Sequence, residues 1–255
     1  MSRPRDFPPR VWSPFFDGEL PRILAHRGLA LEVDENTLAA FGAALAAGAQ
    51  IIETDVRATA DGIPVLVHDE VLPTGARIAD LTWAELQAVP LPRGGSIPSL
   101  DQALAFFPEA KFNIDVKSSD AILPTVLAIT NASATDRVLI ASFSRARQRR
   151  TLRLLAGVAS SASAMTVLGA VLAGKVGWVA LMRYLLRHEN AVQIPLQILS
   201  LRTTSLPMIR HFHAAGVEVH IWTVNEERDM IALKAAGVDG IVTDRCDVAH
   251  RVFAL

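Results

Sequence analysis

The stretch Gln50–Asp69, QIIETDVRATADGIPVLVHD, holds two β-rich runs, Gln50–Val56 and Ile63–Val67, separated only by Arg57–Gly62. So short a connection leaves no room for a helical crossover, and Asp61-Gly62 is a turn signal, so the second run folds back on the first as a hairpin. Elsewhere the pattern differs. Strand-like runs at Ile23–Ala25, Lys111–Val116, Val138–Ser142, Val158–Ser160, Ala191–Ile194, Val217–Trp222 and Gly240–Thr243 alternate with Ala- and Leu-rich helical stretches. Together with Gln50–Val56 they make eight β/α units. That count predicts an α/β protein, a (β/α)8 TIM barrel with the hairpin over its carboxyl-terminal mouth. Helices are expected over Thr37–Ala47, stopped by Gly48, and over Asn225–Ala236, stopped by Gly237; Asn36-Thr37 and Asn225 stand where a side-chain cap belongs.

The chain has 255 residues, 51% of them hydrophobic and 20% charged, enough apolar material for one closed core. A barrel domain over residues 22–255 preceded by an amino-terminal extension over residues 1–21 is the expected division. A net charge of -1 supplies no global basic field and argues against a nucleic-acid partner. Cys246 is the single cysteine, so neither an internal disulfide nor a multi-cysteine metal site is possible. Met1–Arg22 has basic residues and prolines but no continuous apolar run, unlike a secretory signal, and a cytoplasmic location is expected. Ala162–Met182, ASAMTVLGAVLAGKVGWVALM, is about as long as a membrane span and reads equally as a buried core helix.

Residues two apart on a strand share a face, so Glu53 and Asp55 present paired carboxylates at a strand end, as Asp115 and Lys117 do on the next strand. Converging carboxylates repel unless a proton or cation lies between them, and oxygen donors suit Mg²⁺ or Ca²⁺. His26-Arg27-Gly28 closes the first strand and His68-Asp69 ends the hairpin, offering two imidazoles for acid–base work. All of these groups fall at the end of the barrel where such folds keep their active sites.

The ordered set HRG at 26–28, ENT at 35–37, ETD at 53–55, HD at 68–69, IPSL at 97–100, NIDVK at 113–117, SF at 142–143, WTVN at 222–225 and GIVTD at 240–244 resembles the glycerophosphodiester phosphodiesterase family over residues 22–250. The resemblance implies a barrel enzyme that cleaves glycerophosphodiesters to sn-glycerol 3-phosphate and an alcohol with one divalent cation, Mg²⁺ or Ca²⁺. Carried over by position, Glu53, Asp55 and Asp115 correspond to the metal ligands and His26 and His68 to the acid–base pair. Arg27 and Lys117 correspond to the phosphate clamp, Trp222 to a wall for the glycerol end, and Glu35 to an acid near the ligand. Two departures stand out: many members carry Glu where Asp115 stands, and the Arg-Thr segment that usually follows HD is missing, with Arg77 the nearest substitute.

The alternatives are a lysophospholipase D-type enzyme, with the apolar 162–187 segment holding an acyl chain and touching a membrane, and a non-catalytic binding protein on the same barrel. A metal-dependent amidohydrolase would want HxH where HRG stands, and no G-x-S-x-G elbow, G-x-G-x-x-G or P-loop occurs. The arginines of Ser144–Arg153 read as a solvated helix face, and His188, His211, His213, His220 and His250 as structural or surface residues in helices or loops.

Overall fold

The computed structural model describes residues 13–198 and 201–254; residues 1–12 of the expected extension lie outside the described residues. The strands are β1 (Arg22–His26), β2 (Ile51–Ala58), β3 (Pro64–Leu66), β4 (Lys111–Val116), β5 (Val138–Ala141), β6 (Ala159–Ser160), β7 (Ala191–Pro195), β8 (Gln197–Ile198), β9 (Leu201–Arg202), β10 (Glu218–Trp222) and β11 (Gly240–Thr243). The helices are α1 (Leu38–Ala46), α2 (Trp83–Gln87), α3 (Leu100–Phe106), α4 (Ile122–Asn131), α5 (Arg145–Leu154), α6 (Ala164–Lys175), α7 (Val179–Leu185), α8 (Leu206–Ala215), α9 (Glu227–Ala236) and α10 (Cys246–Ala254).

Eight parallel strands run in the order β6-β5-β4-β2-β1-β11-β10-β7. The ring closes between β6 and β7 through a parallel bridge from Ser161 to Ala191, supported by Asn190 N–H donating to Ser160 O (3.0 Å) and Ala162 N–H to Ala191 O (2.9 Å). This is the expected (β/α)8 barrel. β3 pairs antiparallel with β2, Val56 opposite Leu66, as the hairpin reading required. Gly62 turns the chain at φ +81°, where a side chain would be strained. The hairpin opens an excursion that returns at Ser99 and has a small core of its own, Val65, Leu72, Ile78, Leu86 and Ile97.

The two-residue period sorts each strand. On β2, Ile52 and Val56 face outward and pack with Phe41 and Leu100, while Ile51 faces the barrel axis with Leu24 and Val242. Glu53 and Asp55 therefore follow Ile51 up the inner face toward the mouth. α1 begins where Thr37 Oγ1 accepts from Ala40 N–H (3.2 Å) and buries Ala40, Phe41 and Ala44 against the sheet.

Residues 13–21 close the amino-terminal end. Phe15 and Phe16 pack on Leu24, Ile51, Leu139 and Val242, burial that contributes about 1.5–3 kcal/mol for each ring. Lys111 Nζ donates to the carbonyls of Phe15 (2.9 Å) and Asp17 (2.6 Å), and Arg22 to the carbonyl of Phe16.

The apolar 162–187 segment is two helices. Gly177, at φ +70°, breaks it between α6 and α7, and Val167, Ala170, Val171 and Met182 bury its inner face in the outer core. No helix among the described residues is long and apolar enough to cross a membrane.

Candidate active site

The mouth is built from the ends of β1, β2, β4 and β11. Register places His26 beside Glu53, Glu53 beside Asn113, and Asp55 beside Asp115. After β1 the chain must turn sharply. Arg27 adopts φ +57° and Gly28 φ +86°, and a Cβ on Gly28 would stand 2.7 Å from the backbone of Ala40, so the turn packs on α1 only with glycine there.

His26 Nδ1 meets Asp244 Oδ1 at 2.7 Å, which leaves Nε2 available toward the mouth. Burial works against the imidazolium, but the Asp244 hydrogen bond and the charge of Glu53 outweigh it and raise the His26 pKa. Asp244 is itself held: Asn225 Nδ2 donates to its Oδ2 (2.7 Å), and its own N–H donates to Asn225 Oδ1 (2.9 Å). Asn225 is thus a positioning residue. It does not cap α9, whose N-cap is Glu226, because its side chain is spent on the strand end. His68 makes the matching contact with Asp69 Oδ1 (2.7 Å), and its carbonyl accepts from Arg57 Nε (2.8 Å).

Between the imidazoles lies a buried charge cluster. Lys117 Nζ donates to Asp55 Oδ1 (2.8 Å) and Asp115 Oδ2 (2.7 Å). Arg27 pairs with Glu35 (2.8 Å), and its Nε lies 3.1 Å from Asp55 Oδ2 but off the line of a hydrogen bond. Asn36 Nδ2 donates to Asp55 Oδ2 (3.3 Å) while its Oδ1 accepts from Thr54 (2.7 Å). Burial would raise the Asp55 pKa, but Lys117 and Arg27 hold it below the ordinary value.

Glu53 differs. Burial and the neighbouring Asp55 charge push it up to about 8, and it receives only the Arg27 N–H (3.2 Å) on Oε2. Asp115 is raised by burial, and its Oδ1 is buried without a hydrogen-bond partner. As placed, no group of three acids or imidazoles among the described residues converges as a ready-made metal cluster, and Lys117 stands between Asp55 and Asp115. The donor set nevertheless fits a hard divalent cation: three strand-end carboxylates, one orphaned oxygen and one carboxyl that burial and the Asp55 charge push toward its protonated form.

Trp222 and Phe143 stand edge to face, centroids 6.0 Å apart, and Lys117 Nζ lies 5.6 Å from the Phe143 ring. The structure thus brings together every residue expected at the site except Arg77, which is exposed and paired to Glu70 (2.5 Å) outside the carboxylate cluster. Asp244, Asn225 and Asn36 lie in quoted motifs but had no assigned role; an acid just past a barrel strand was the available signal for Asp244.

His220 is on β10, fully buried, and bonds Glu218 Oε2 (3.1 Å); it is not in a helix or loop. His213 meets Asp239 (2.7 Å), away from the mouth. Cys246 is buried, which pushes its thiol up to about 11 and makes it a poor nucleophile.

A closed parallel barrel with its unbalanced carboxylates and paired imidazoles at the carboxyl ends of the strands is a barrel enzyme in plan. The chain belongs to the glycerophosphoryl diester phosphodiesterase family, whose model matches residues 26–248. It is 40% identical to "Probable glycerophosphodiester phosphodiesterase 2" of Mycobacterium tuberculosis over 90% of this chain and 89% of that protein. It is 29% identical to a glycerophosphodiester phosphodiesterase of Caldanaerobacter subterraneus, over 87% of this chain and 93% of that one. Among solved structures, the glycerophosphodiester phosphodiesterase of Agrobacterium tumefaciens superposes with a TM-score of 0.77 at 22% identity, over 92% of this chain and 100% of that chain. An Oleispira antarctica phosphodiesterase, solved with its product sn-glycerol 3-phosphate, gives 0.75 at 23% identity, over 92% and 98%.

Proposed function

We propose that the mouth hydrolyses glycerophosphodiesters to sn-glycerol 3-phosphate and an alcohol, with His26 and His68 sharing the proton transfers. The observation that carries this reading is the pair of imidazoles, each tied through Nδ1 to a carboxylate at 2.7 Å, flanking buried acids and cations. Tethered in this way, each ring keeps Nε2 free to exchange a proton. One takes the proton of the attacking group, a water or the substrate's own glycerol hydroxyl, and the other protonates the departing alkoxide; on the second route water then opens the cyclic phosphate. Arg27 and Lys117 offset the charge that grows on the phosphoryl oxygens, an effect strengthened by the low dielectric of the mouth. Phe143 and Trp222 wall the site on the glycerol side.

Glu53, Asp55 and Asp115 would hold a divalent cation, Mg²⁺ or Ca²⁺, beside Lys117, which pairs with both aspartates. When bound, that cation supplies further charge neutralisation at the phosphate. The family match and the product complex of the Oleispira neighbour support the substrate class. A second reading, turnover of lysophospholipids, is favoured by exposed Phe143 and Met165 near the mouth and by a rat relative named lysophospholipase D, 25% identical.

The test is release of sn-glycerol 3-phosphate from glycerophosphocholine and glycerophosphoethanolamine, in EDTA and then with Mg²⁺, Ca²⁺ or Mn²⁺ restored. Cation-restored turnover is expected. No turnover with any cation overturns the reading, and turnover of lysophosphatidylcholine alone installs the second one.

A further inference from the structure

Beside the mouth lies a cleft of about 300 Å³ lined by Arg57, Arg77, Lys117, Ser118, Asp120 and Arg147. Lys117 joins it to the carboxylate cluster, where Asp55 and Asp115 balance its charge. The acids that line the cleft are engaged: Glu70 with Arg77 (2.5 Å), and Asp120 with the N–H of Ala121 (2.9 Å).

Arg57 and Arg147 are in a different position. Arg57 Nε donates to the carbonyl of His68 (2.8 Å), and Arg147 Nε to the carbonyl of Val116 (2.7 Å) and to Ser142 Oγ (3.0 Å). All of these acceptors are neutral, and neither guanidinium forms an ion pair among the described residues. Burial lowers the Arg147 pKa; the charge of Asp115 works against that shift, and the like charge of Arg57 adds to it. Ser118 Oγ is buried beside them without a hydrogen-bond partner. Two guanidinium groups turned to one cleft, neither of them in an ion pair among the described residues, offer an entering anion forked donors that match phosphate oxygens.

We propose that this cleft receives a phosphate monoester carried by the alcohol that the enzyme releases, so that diesters with an anionic leaving alcohol are its preferred substrates. The inference rests on the phosphodiesterase reading above. It places the leaving alcohol on the arginine side of Lys117, with the Phe143–Trp222 pair left to the glycerol. Arg77 adds a flexible third cation once the incoming phosphate competes with Glu70.

Two diesters that differ only in that group provide the test: sn-glycero-3-phosphoinositol and its 4-phosphate, compared by kcat/KM for release of sn-glycerol 3-phosphate. The 4-phosphate should be favoured by about tenfold or more, the size of one or two charge-assisted hydrogen bonds. Arg147→Gln should erase most of that preference. Arg77→Ala should reduce it about threefold while turnover of the unphosphorylated diester stays within about twofold, since Arg77 is exposed and outside the cluster. A wild-type ratio near one, with both diesters hydrolysed, overturns the proposal. So does an equal loss on both substrates in Arg147→Gln, which would assign that arginine to the scissile phosphate. Turnover of neither diester with any cation overturns the phosphodiesterase reading itself, and this inference with it.

Discussion

Buried carboxylates occupy both ends of the barrel interior, and they are treated in opposite ways. At the amino-terminal end Glu218 accepts from Arg22 Nε (3.0 Å) and a second guanidinium nitrogen (3.1 Å) and meets His220 Nε2 (3.1 Å). Burial would raise its pKa, but His220 and Arg22 hold it down to about 2. At the carboxyl-terminal end Glu53, equally buried, is pushed up to about 8, and Asp115 keeps an unpartnered oxygen. Both acids sit on inward positions of parallel strands; their neighbours alone set the difference. The floor is a finished structural interaction, whereas the mouth carries uncompensated charge that a substrate or cation can relieve.

The sharpest way to break this contrast is to truncate the imidazoles. His26→Ala or His68→Ala should lower turnover by at least ~100-fold with the fold intact, since each removes a positioned proton carrier and little packing. Near-normal turnover in either would remove the mouth's claim to the chemistry.

Next comes the floor. Arg22→Met takes both guanidinium bonds from buried Glu218 and should cost about 3 kcal/mol or more of stability, a fall of ~6–12 °C in Tm, with kcat unchanged well below the transition. A variant that keeps its Tm and loses kcat would show that the two ends are not independent.

The third prediction uses pH. The folded chain holds the Glu53 proton up to about 8, whereas the unfolded chain releases it in the ordinary carboxylate range. Glu53 therefore contributes stability at low pH that is lost as pH rises from that range through about 8. His26, its pKa raised, acts in the same direction, while Asp55, its pKa lowered, loses its contribution only in more acidic solution. In EDTA, Tm should fall between pH 5 and pH 8, and Glu53→Gln should flatten most of that slope, standing ~5 °C above the parent at the alkaline end. An unchanged slope would mean that Glu53 is ionised and already balanced.

The smallest effect sharpens the acid–base assignment. Asp244→Asn removes the carboxylate charge behind the contact that raises His26, so one limb of the pH–rate profile should move to lower pH while the other stays. Movement of the acidic limb makes His26 the base, movement of the alkaline limb makes it the acid, and an unmoved profile detaches Asp244 from the reaction.

The barrel was legible because each strand is a short β-rich run bounded by helical sequence, and inward alternation put Glu53, Asp55, Asp115 and Lys117 on one face without knowledge of the fold. What stayed hidden depends on contacts distant in the chain. Asn225 is a good cap by residue type, and only the return of β11 beside β10 shows that it serves Asp244 instead. Arg147 is one arginine in a run of five on α5, and spacing does not reveal that it alone reaches the carbonyl of Val116. The pairing of Arg22 with Glu218, far apart in sequence, leaves no local signature either.

One feature of the ring governs how it breathes. Among the described residues β6 and β7 pair through a single bridge and two flanking backbone bonds, with Ser160 N–H held by Asn190 Oδ1 (3.0 Å), while the seam between β2 and β4 is paired over six residues. Opening free energies follow local bonding density, so amide protons around residues 159–162 and 190–192 should exchange with deuterium ahead of those of β2 and β4. β1 and β2, which carry His26, Glu53 and Asp55, lie across the barrel from that seam, so opening there is expected to leave the mouth assembled.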